Sequence, residues 1–452
     1  MQTNEMEMEL LTEEEKRENR RQRRIRNQRL AYLGLILFIV VMIGAIVAGV
    51  IFSGKYIKVK KQQAEEEVVA EQEEESDVTE EIMEEVIEDE ELVEVVTPGE
   101  TEQEVLDEVV ESIISEMTLE EKVAGLFIVT PEGITGVNAA VQAGDGTKKA
   151  LEKYPVGGLI YFKKNIKSEA QLQEMIAKSK EYCKYPLFIG VDEEGGEVSV
   201  LAETLKLDNV GDMADIGSTG DVSKAYEAMK SVGTYMAGYG FNLNFAPVAD
   251  VLLNEENSSI GDRAFGSDAL TVAGMVTSAM EGMKETGVTA CVKHFPGMGD
   301  ASKDTHNGLM VIDKSLEDLK QAELVPFISA IENDVNMIMV GHISLPQIVG
   351  DNTPATMSKE VISDLLRSEL GFNGVVITEA MNESAITEYY GADEAAIRAF
   401  KAGADMVLMP EKFEVAYNGV IEAVKAGTIS EERINDSLKR VYRIKYADSV
   451  GE

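Results

Sequence analysis

Tryptophan is absent from this 452-residue chain, which has only two cysteines, Cys183 and Cys291, and three histidines, His294, His306 and His342. Two cysteines cannot build a disulfide framework, and neither a Cys-x-x-Cys pair nor a zinc-type ligand spacing occurs. Cys291 sits in an apolar, strand-like run and reads as a small core residue; the count leaves the redox compartment open. Positive charge is also scarce. Lysine and arginine number 42 against 82 acidic residues, a formal charge of −40. Polyphosphate binding needs a cationic face, so nucleic acid is excluded as a partner. Nor is a Gly-rich phosphate turn found after the first strand-like run, where the sequence is Val129-Thr130-Pro131-Glu132-Gly133, and no cofactor is implied.

Long apolar stretches are missing too, with one exception. Leu30–Phe52 is an uncharged run of 23 residues, enough to cross the roughly 30 Å hydrocarbon layer as a helix. A cleaved signal peptide would carry an apolar core of only about 7–15 residues, so an uncleaved anchor is the better reading. Eight basic residues lie between Lys16 and Arg29, against Lys55, Lys58, Lys60 and Lys61 on the far side. The more basic flank stays cytoplasmic. Residues 1–29 are therefore expected inside, 30–52 in the membrane, and the remainder outside. Glutamate dominates from Gln62 to Val96. Like charges repel along any helix there, and the sparse valines and isoleucines do not offset the ordering entropy. Residues 53–101 read as an acidic, mostly disordered stalk, and 102–452 as the folded domain.

Eight short apolar runs in that domain read as buried parallel strands: Gly125–Thr130, Val156–Phe162, Pro186–Val191, Asn242–Val248, Val288–Lys293, Met337–Gly341, Gly374–Thr378 and Asp405–Met409. Amphipathic helical segments are expected at Ser168–Tyr182, Asp221–Met236, Leu270–Thr286, Leu316–Glu332, Lys359–Glu369, Ala392–Lys401 and Phe413–Ala426. This alternation predicts an α/β fold, a (β/α)8 barrel of the TIM type with insertions; a doubly wound open sheet is the alternative.

Barrel enzymes place their chemistry at the C-terminal ends of the strands. The third run here ends in Asp192-Glu193-Glu194-Gly195-Gly196, the fifth in Lys293-His294, the sixth in Gly341-His342 and the seventh in Thr378-Glu379. Arg263 lies in a glycine-flanked loop after the fourth. All three histidines fall at or just past strand ends, where packing alone would favour Val, Ile and Leu. Asp304 and His306 are two positions apart in a loop, where an acid can fix an imidazole's tautomer and stabilise its charged form. A surface histidine capped by its neighbour is the alternative. Asp192 can equally cap the Gly195-Gly196 turn, Arg263 can pair with Asp262 or a stalk glutamate, and His342 can be a satisfied structural residue. A metal site built from His294, His306 and acids lacks any helical His-x-x-x-His support.

Lys293-His294-Phe295-Pro296-Gly297-x-Gly299-Asp300 followed by Asp304-Thr305-His306 resembles the signature of family 3 glycoside hydrolases, and more narrowly their β-N-acetylhexosaminidase branch. Further matches are Met117–Val123, Asp192-x-Glu194-Gly195-Gly196, Ile260–Gly266 and Gly374–Thr378, so the likeness covers about residues 112–445. The absence of a second, sandwich domain after the barrel is also like that branch. The resemblance implies a retaining double displacement on a carbohydrate substrate such as cell-wall glycan, with terminal β-linked N-acetylhexosamine as the unit removed. It implies that a carboxylate after the seventh strand, Glu379, attacks the sugar while His306, supported by Asp304, serves as acid/base. It also implies that Asp192, Arg263, Lys293 and His294 hold the sugar hydroxyls. Two positions depart from the pattern. The family nucleophile is an aspartate, where this chain has Glu379. After Gly195-Gly196 the family carries Arg-Val-x-Arg, where this chain has Glu197-Val198-Ser199-Val200. The pocket should therefore be less welcoming to carboxylated sugars or phosphate. The departures keep two alternatives open, a silent barrel that binds glycan or scaffolds surface proteins, and phosphorolysis.

Overall fold

The computed structural model describes residues 102–303 and 308–447. The expected membrane span Leu30–Phe52, the stalk 53–101 and the pair Asp304 and His306 lie outside the described residues. No helix among the described residues is long and apolar enough to cross a membrane.

All eight expected strands are present, seven as a shorter core of the apolar run and β5 running two residues past the end of its own: β1 (Phe127–Val129), β2 (Gly158–Ile160), β3 (Phe188–Val191), β4 (Leu243–Asn244), β5 (Thr289–Phe295), β6 (Met337–Val340), β7 (Val375–Thr378) and β8 (Val407–Leu408). They pair in parallel in sequence order, and β8 returns to β1 with Phe127 opposite Val407. The β7–β8 seam is held by a bridge between Ile377 and Met406, with the Asp405 and Met406 N–H groups donating to the Val376 carbonyl at 2.7 and 3.0 Å. The result is a nearly closed parallel barrel with helices outside. Pro247 shortens β4, because proline has no N–H to give a ladder; Val248 still bridges to Lys293.

Helices follow the expected pattern with two corrections. The expected single helix Leu316–Glu332 is two, Leu316–Leu319 and Val325–Glu332. Pro326 is the reason: inside a continuous helix its ring would clash with the carbonyl one turn back, whereas in the first turn of the second helix it loses nothing. Residues Glu360–Glu369 form a wide helix, with Leu370 N–H reaching Leu365 O at 2.9 Å, five residues back. Helices at Glu102–Glu116, Asp145–Lys153 and Glu431–Lys445 complete the shell.

Packing between barrel and shell is aromatic as well as aliphatic. Phe127 meets Phe400 and Phe413 edge-on, with ring centroids 5.8 and 5.6 Å apart. Burying such a side chain stabilises by roughly 1.5–3 kcal/mol. The signature loop after β5 is fastened rather than loosened by its glycines. A Cβ on Gly299 would stand 1.9 Å from the Val251 carbonyl oxygen, and Gly297 has φ +109°. Only glycine fits either place.

Candidate active site

Strand ends β3 and β5 meet in a buried charge cluster. Lys293, on β5, places Nζ 2.7 Å from Asp192 Oδ1 and 2.6 Å from Glu194 Oε1. Arg263 donates from Nε and Nη2 to the two oxygens of Glu194, at 2.7 and 2.8 Å, and from Nη1 to the Ser259 carbonyl at 2.7 Å. The fork-to-carboxylate geometry fixes the arginine plane. Burial would raise the Glu194 carboxyl, but Lys293 and Arg263 overcome it and hold it at about 2. Burial likewise would lower the Lys293 ammonium, and Asp192 and Glu194 keep it above the usual lysine value. Both cations are therefore charged and committed. The side-chain partner of Arg263 is Glu194, 69 positions away, and not its neighbour Asp262.

Asp192 is the partly open member of this cluster, with a side chain 27% exposed against 2% for Glu194. Its Oδ2 has no hydrogen-bond partner among the described residues, so it can accept from a sugar hydroxyl. Between these two acids, Glu193 turns the other way. It accepts from the N–H groups of Leu201 and Ala202 at 2.6 and 2.9 Å and from the Tyr235 hydroxyl at 2.8 Å, pinning the β3 loop.

His294 uses Nδ1 against Asp250 Oδ2 at 2.7 Å, while Asp250 Oδ1 accepts from Met298 N–H at 2.7 Å. A carboxylate only accepts, so the proton sits on Nδ1 and Nε2 is left for a ligand. Asp250 is fully buried. Sequence reasoning missed it, although its place just beyond the fourth apolar run was the available signal.

Glu379 follows β7 directly. Its Oε2 accepts from His342 N–H at 2.6 Å, and its own N–H donates to Val340 O at 2.8 Å, so the residue is tied to the end of β6. Burial alone would raise its carboxyl; His342, His294, the His342 N–H and Lys293 reverse the sign and hold it below the usual carboxylate value. The bond from the His342 N–H sets the carboxylate beside the C-terminal end of β6. His342 is itself held below the usual histidine range by burial. Nε2 faces the Ala380 carbonyl at 3.1 Å and must donate, and Nδ1 faces the Thr356 hydroxyl at 2.9 Å. His342 is thus a satisfied structural residue that presents a backbone donor to Glu379.

Glu383 was not anticipated. It sits four residues beyond Glu379, just before the short helix Ser384–Thr387. Crowding by protein, together with the charges of Glu379 and Asp192, pushes its carboxyl up to about 7, although the side chain is exposed. The loop carrying Asp304 and His306 is described only at its two ends. Lys314 joins those ends, with Nζ 2.7 Å from Asp300 and 2.6 Å from buried Glu323. No group of three or more His, Cys, Asp or Glu residues among the described residues is arranged to hold a metal. A cavity of about 230 Å³ lies beside the Arg263 loop, lined by Asn254, Glu256, Asn257, Ser259, Ala301 and Met310 among others.

A parallel barrel whose strand ends gather carboxylates, two committed cations and a ligand-facing imidazole has the make-up of a carbohydrate-active enzyme. Residues 118–444 match the Glycosyl hydrolase family 3 N terminal domain, and the chain belongs to that family. It is 32% identical over 336 residues to Beta-hexosaminidase LpqI of Mycobacterium tuberculosis, covering 72% of this chain and 82% of that protein. It is 31% identical over 326 residues to Beta-hexosaminidase A of Pseudoalteromonas piscicida, covering 65% of this chain and 54% of that one. Among solved structures, a family 3 β-N-acetylglucosaminidase from Paenibacillus sp. FPU-7 superposes with a TM-score of 0.68 at 36% identity, covering 74% of this chain and 64% of that one. The chain thus spans about half the length of the Pseudoalteromonas relative and under two thirds of the Paenibacillus structure.

Proposed function

We propose that this chain is a glycoside hydrolase that removes terminal β-linked N-acetylhexosamine with retention of configuration, held at the outer face of a membrane by Leu30–Phe52. The observation that carries the catalytic part is the carboxylate of Glu379, held ionised at the end of β7 by the His342 N–H at 2.6 Å. Glu379 attacks the anomeric carbon as the glycosidic bond breaks, and His306 gives its proton to the departing oxygen. A sugar ester of Glu379 forms. His306, now neutral, takes a proton from water, whose oxygen attacks the same carbon and releases Glu379. An imidazole with an ordinary pKa of about 6.5 can serve in both half-reactions near neutrality. Asp304 holds the ring's tautomer, Asp192 accepts a sugar hydroxyl, and His294 Nε2 meets another. Lys293 and Arg263 keep Glu194 ionised, and Lys293 holds Asp192 in place.

Glu379 is one methylene longer than an aspartate. A misplacement on the order of 1 Å can cost about a hundredfold in rate, and the bond to His342 is what draws the longer carboxylate into a fixed position. The test uses the full chain with a chromogenic β-N-acetylglucosaminide, beside Glu379→Gln, Glu379→Asp and His306→Ala. Turnover in the parent that is lost in Glu379→Gln and His306→Ala supports the reading. Turnover that appears only in Glu379→Asp points instead to the glycan-binding, silent barrel. Protease shaving of intact cells, removing the barrel but sparing residues 1–29, tests the membrane orientation.

A further inference from the structure

Between β5 and the short helix Leu316–Leu319 the chain runs out and back through two short paired strands. Ser302–Lys303 pairs antiparallel with Met310–Val311, Ser302 opposite Val311 and Lys303 opposite Met310. On its other side Met310–Val311 pairs in parallel with Ile343–Ser344, and the Ile312 N–H donates to Ser344 O at 3.0 Å. Ile343 directly follows His342, whose N–H holds Glu379 at 2.6 Å. One small sheet therefore connects the support of Glu379 to the two strands that flank residues 304–307, among them Asp304 and His306. The returning side also approaches the chain beyond Glu379, since a Cβ on Gly308 would stand 2.9 Å from Ser384 Oγ.

Strands of two residues give few ladder bonds, and an isolated hairpin is marginal in water. What fastens its base decides how firmly it is aimed. Three side chains meet there. Lys314, just past the returning strand, places Nζ 2.7 Å from Oδ2 of Asp300, just before the outgoing strand, and 2.6 Å from Oε1 of Glu323. Glu323 is fully buried and has Lys314 as its one ion-pair partner among the described residues. It also lies against the signature loop, where a Cβ on Gly297 would stand 3.0 Å from Glu323 Cβ. Burial would lower the Lys314 ammonium, and Asp300 and Glu323 reverse the sign and hold it above the usual lysine value. One cation thus joins both sides of the hairpin base to an acid fixed in the interior.

We propose that Lys314 is a positioning residue for proton transfer to the leaving group: by tying Asp300 to Glu323 it aims the hairpin, and with it His306, at the departing oxygen. The inference rests on the glycosidase reading above. Lys314 acts through the hairpin and not on the substrate.

A good leaving group departs without a proton, whereas a poor one needs the general acid. The test therefore compares kcat/KM on the full chain for the dinitrophenyl and the methoxyphenyl β-N-acetylglucosaminides, the first with a good and the second with a poor leaving group. Lys314→Met should lower the value for the methoxyphenyl glycoside by about a hundredfold, and that for the dinitrophenyl glycoside by less than about threefold. Lys314→Arg, which keeps the charge, should recover much of the difference. Losing the cation also leaves Glu323 buried and unpaired, which weakens the fold, so Lys314→Met combined with Glu323→Gln is measured beside it. This double variant should regain melting temperature and keep the dependence on leaving group. Equal losses on both glycosides, no loss on either, or recovery of the methoxyphenyl reaction together with stability would overturn the proposal while leaving the hydrolase reading intact. A parent that cleaves neither glycoside would instead sink the hydrolase reading, and this inference with it.

Discussion

Replacing Lys293 with methionine tests the charge cluster most directly, since the stem volume is kept and only the ammonium is lost. Glu194 is 2% exposed and its carboxyl lies at about 2 in place of the ordinary 4.5. At 1.36 kcal/mol per unit, that difference is worth roughly 3 kcal/mol, in line with the ~3–5 kcal/mol typical of breaking a buried ion pair. Arg263 still holds Glu194 in the variant, so the loss should sit at the lower end, on the order of 2–3 kcal/mol. A domain of 150–250 residues moves about 2–4 °C per kcal/mol, and this barrel is larger, so thermal unfolding at pH 7 should fall by roughly 5 °C. The pH dependence has a sign. A depressed carboxyl contributes its full stability above its unfolded value of about 4.5 and loses it as pH falls through its folded value. With Lys293 gone, the folded value rises, so acid should begin to destabilise the variant at higher pH than the parent. KM should also rise, because Asp192 loses its anchor. Adding Glu194→Gln to Lys293→Met should return part of the lost stability. A single variant that unfolds within a degree of the parent across pH 4–7 would refute the reasoning.

Asp250→Asn should lower kcat/KM by on the order of tenfold to a hundredfold, because an amide can donate to Nδ1 and reverse the His294 tautomer; steady-state kinetics, with circular dichroism to confirm folding, check it. Gly299→Ala brings a Cβ to within 1.9 Å of the Val251 carbonyl oxygen; displacing backbone there should cost about 1–3 kcal/mol, read by denaturant unfolding. Glu383 has a folded value raised to about 7, so the parent is penalised as pH rises from about 4.5 through 7. Removing that charge in Glu383→Gln should therefore raise the melting temperature at pH 8 more than at pH 5, by an amount that solvent screening of this exposed side chain keeps small.

The barrel was legible because its strands are buried on both faces, and burial on both faces writes a continuous apolar run. Helix Leu316–Glu332 was misread at one point only, where amphipathic spacing continued across Pro326 and periodicity took no account of the missing donor. The gathering of Asp192, Arg263, Lys293, His294 and Glu379 at strand ends was also legible, since strand direction alone puts all C-termini at one rim. Partnership was not. In the sequence Glu194 stands only within the Asp192–Gly196 strand end, and Asp250 is not singled out. Nothing in their neighbours revealed that one would grip Arg263 and the other would orient His294.

By itself the order of residues determined the repeating strand-and-helix architecture and the rim at which charged side chains collect. Tertiary structure decided which charges cancel. Ion pairs at this rim join residues 69, 99 and 101 positions apart, and it is the order of strands in the sheet, β3 and β5 on either side of β4, that brings them within 3 Å. Coulomb energy depends on that distance and on burial, neither of which is written in the chain order, so which acid meets which base emerges only from the folded barrel.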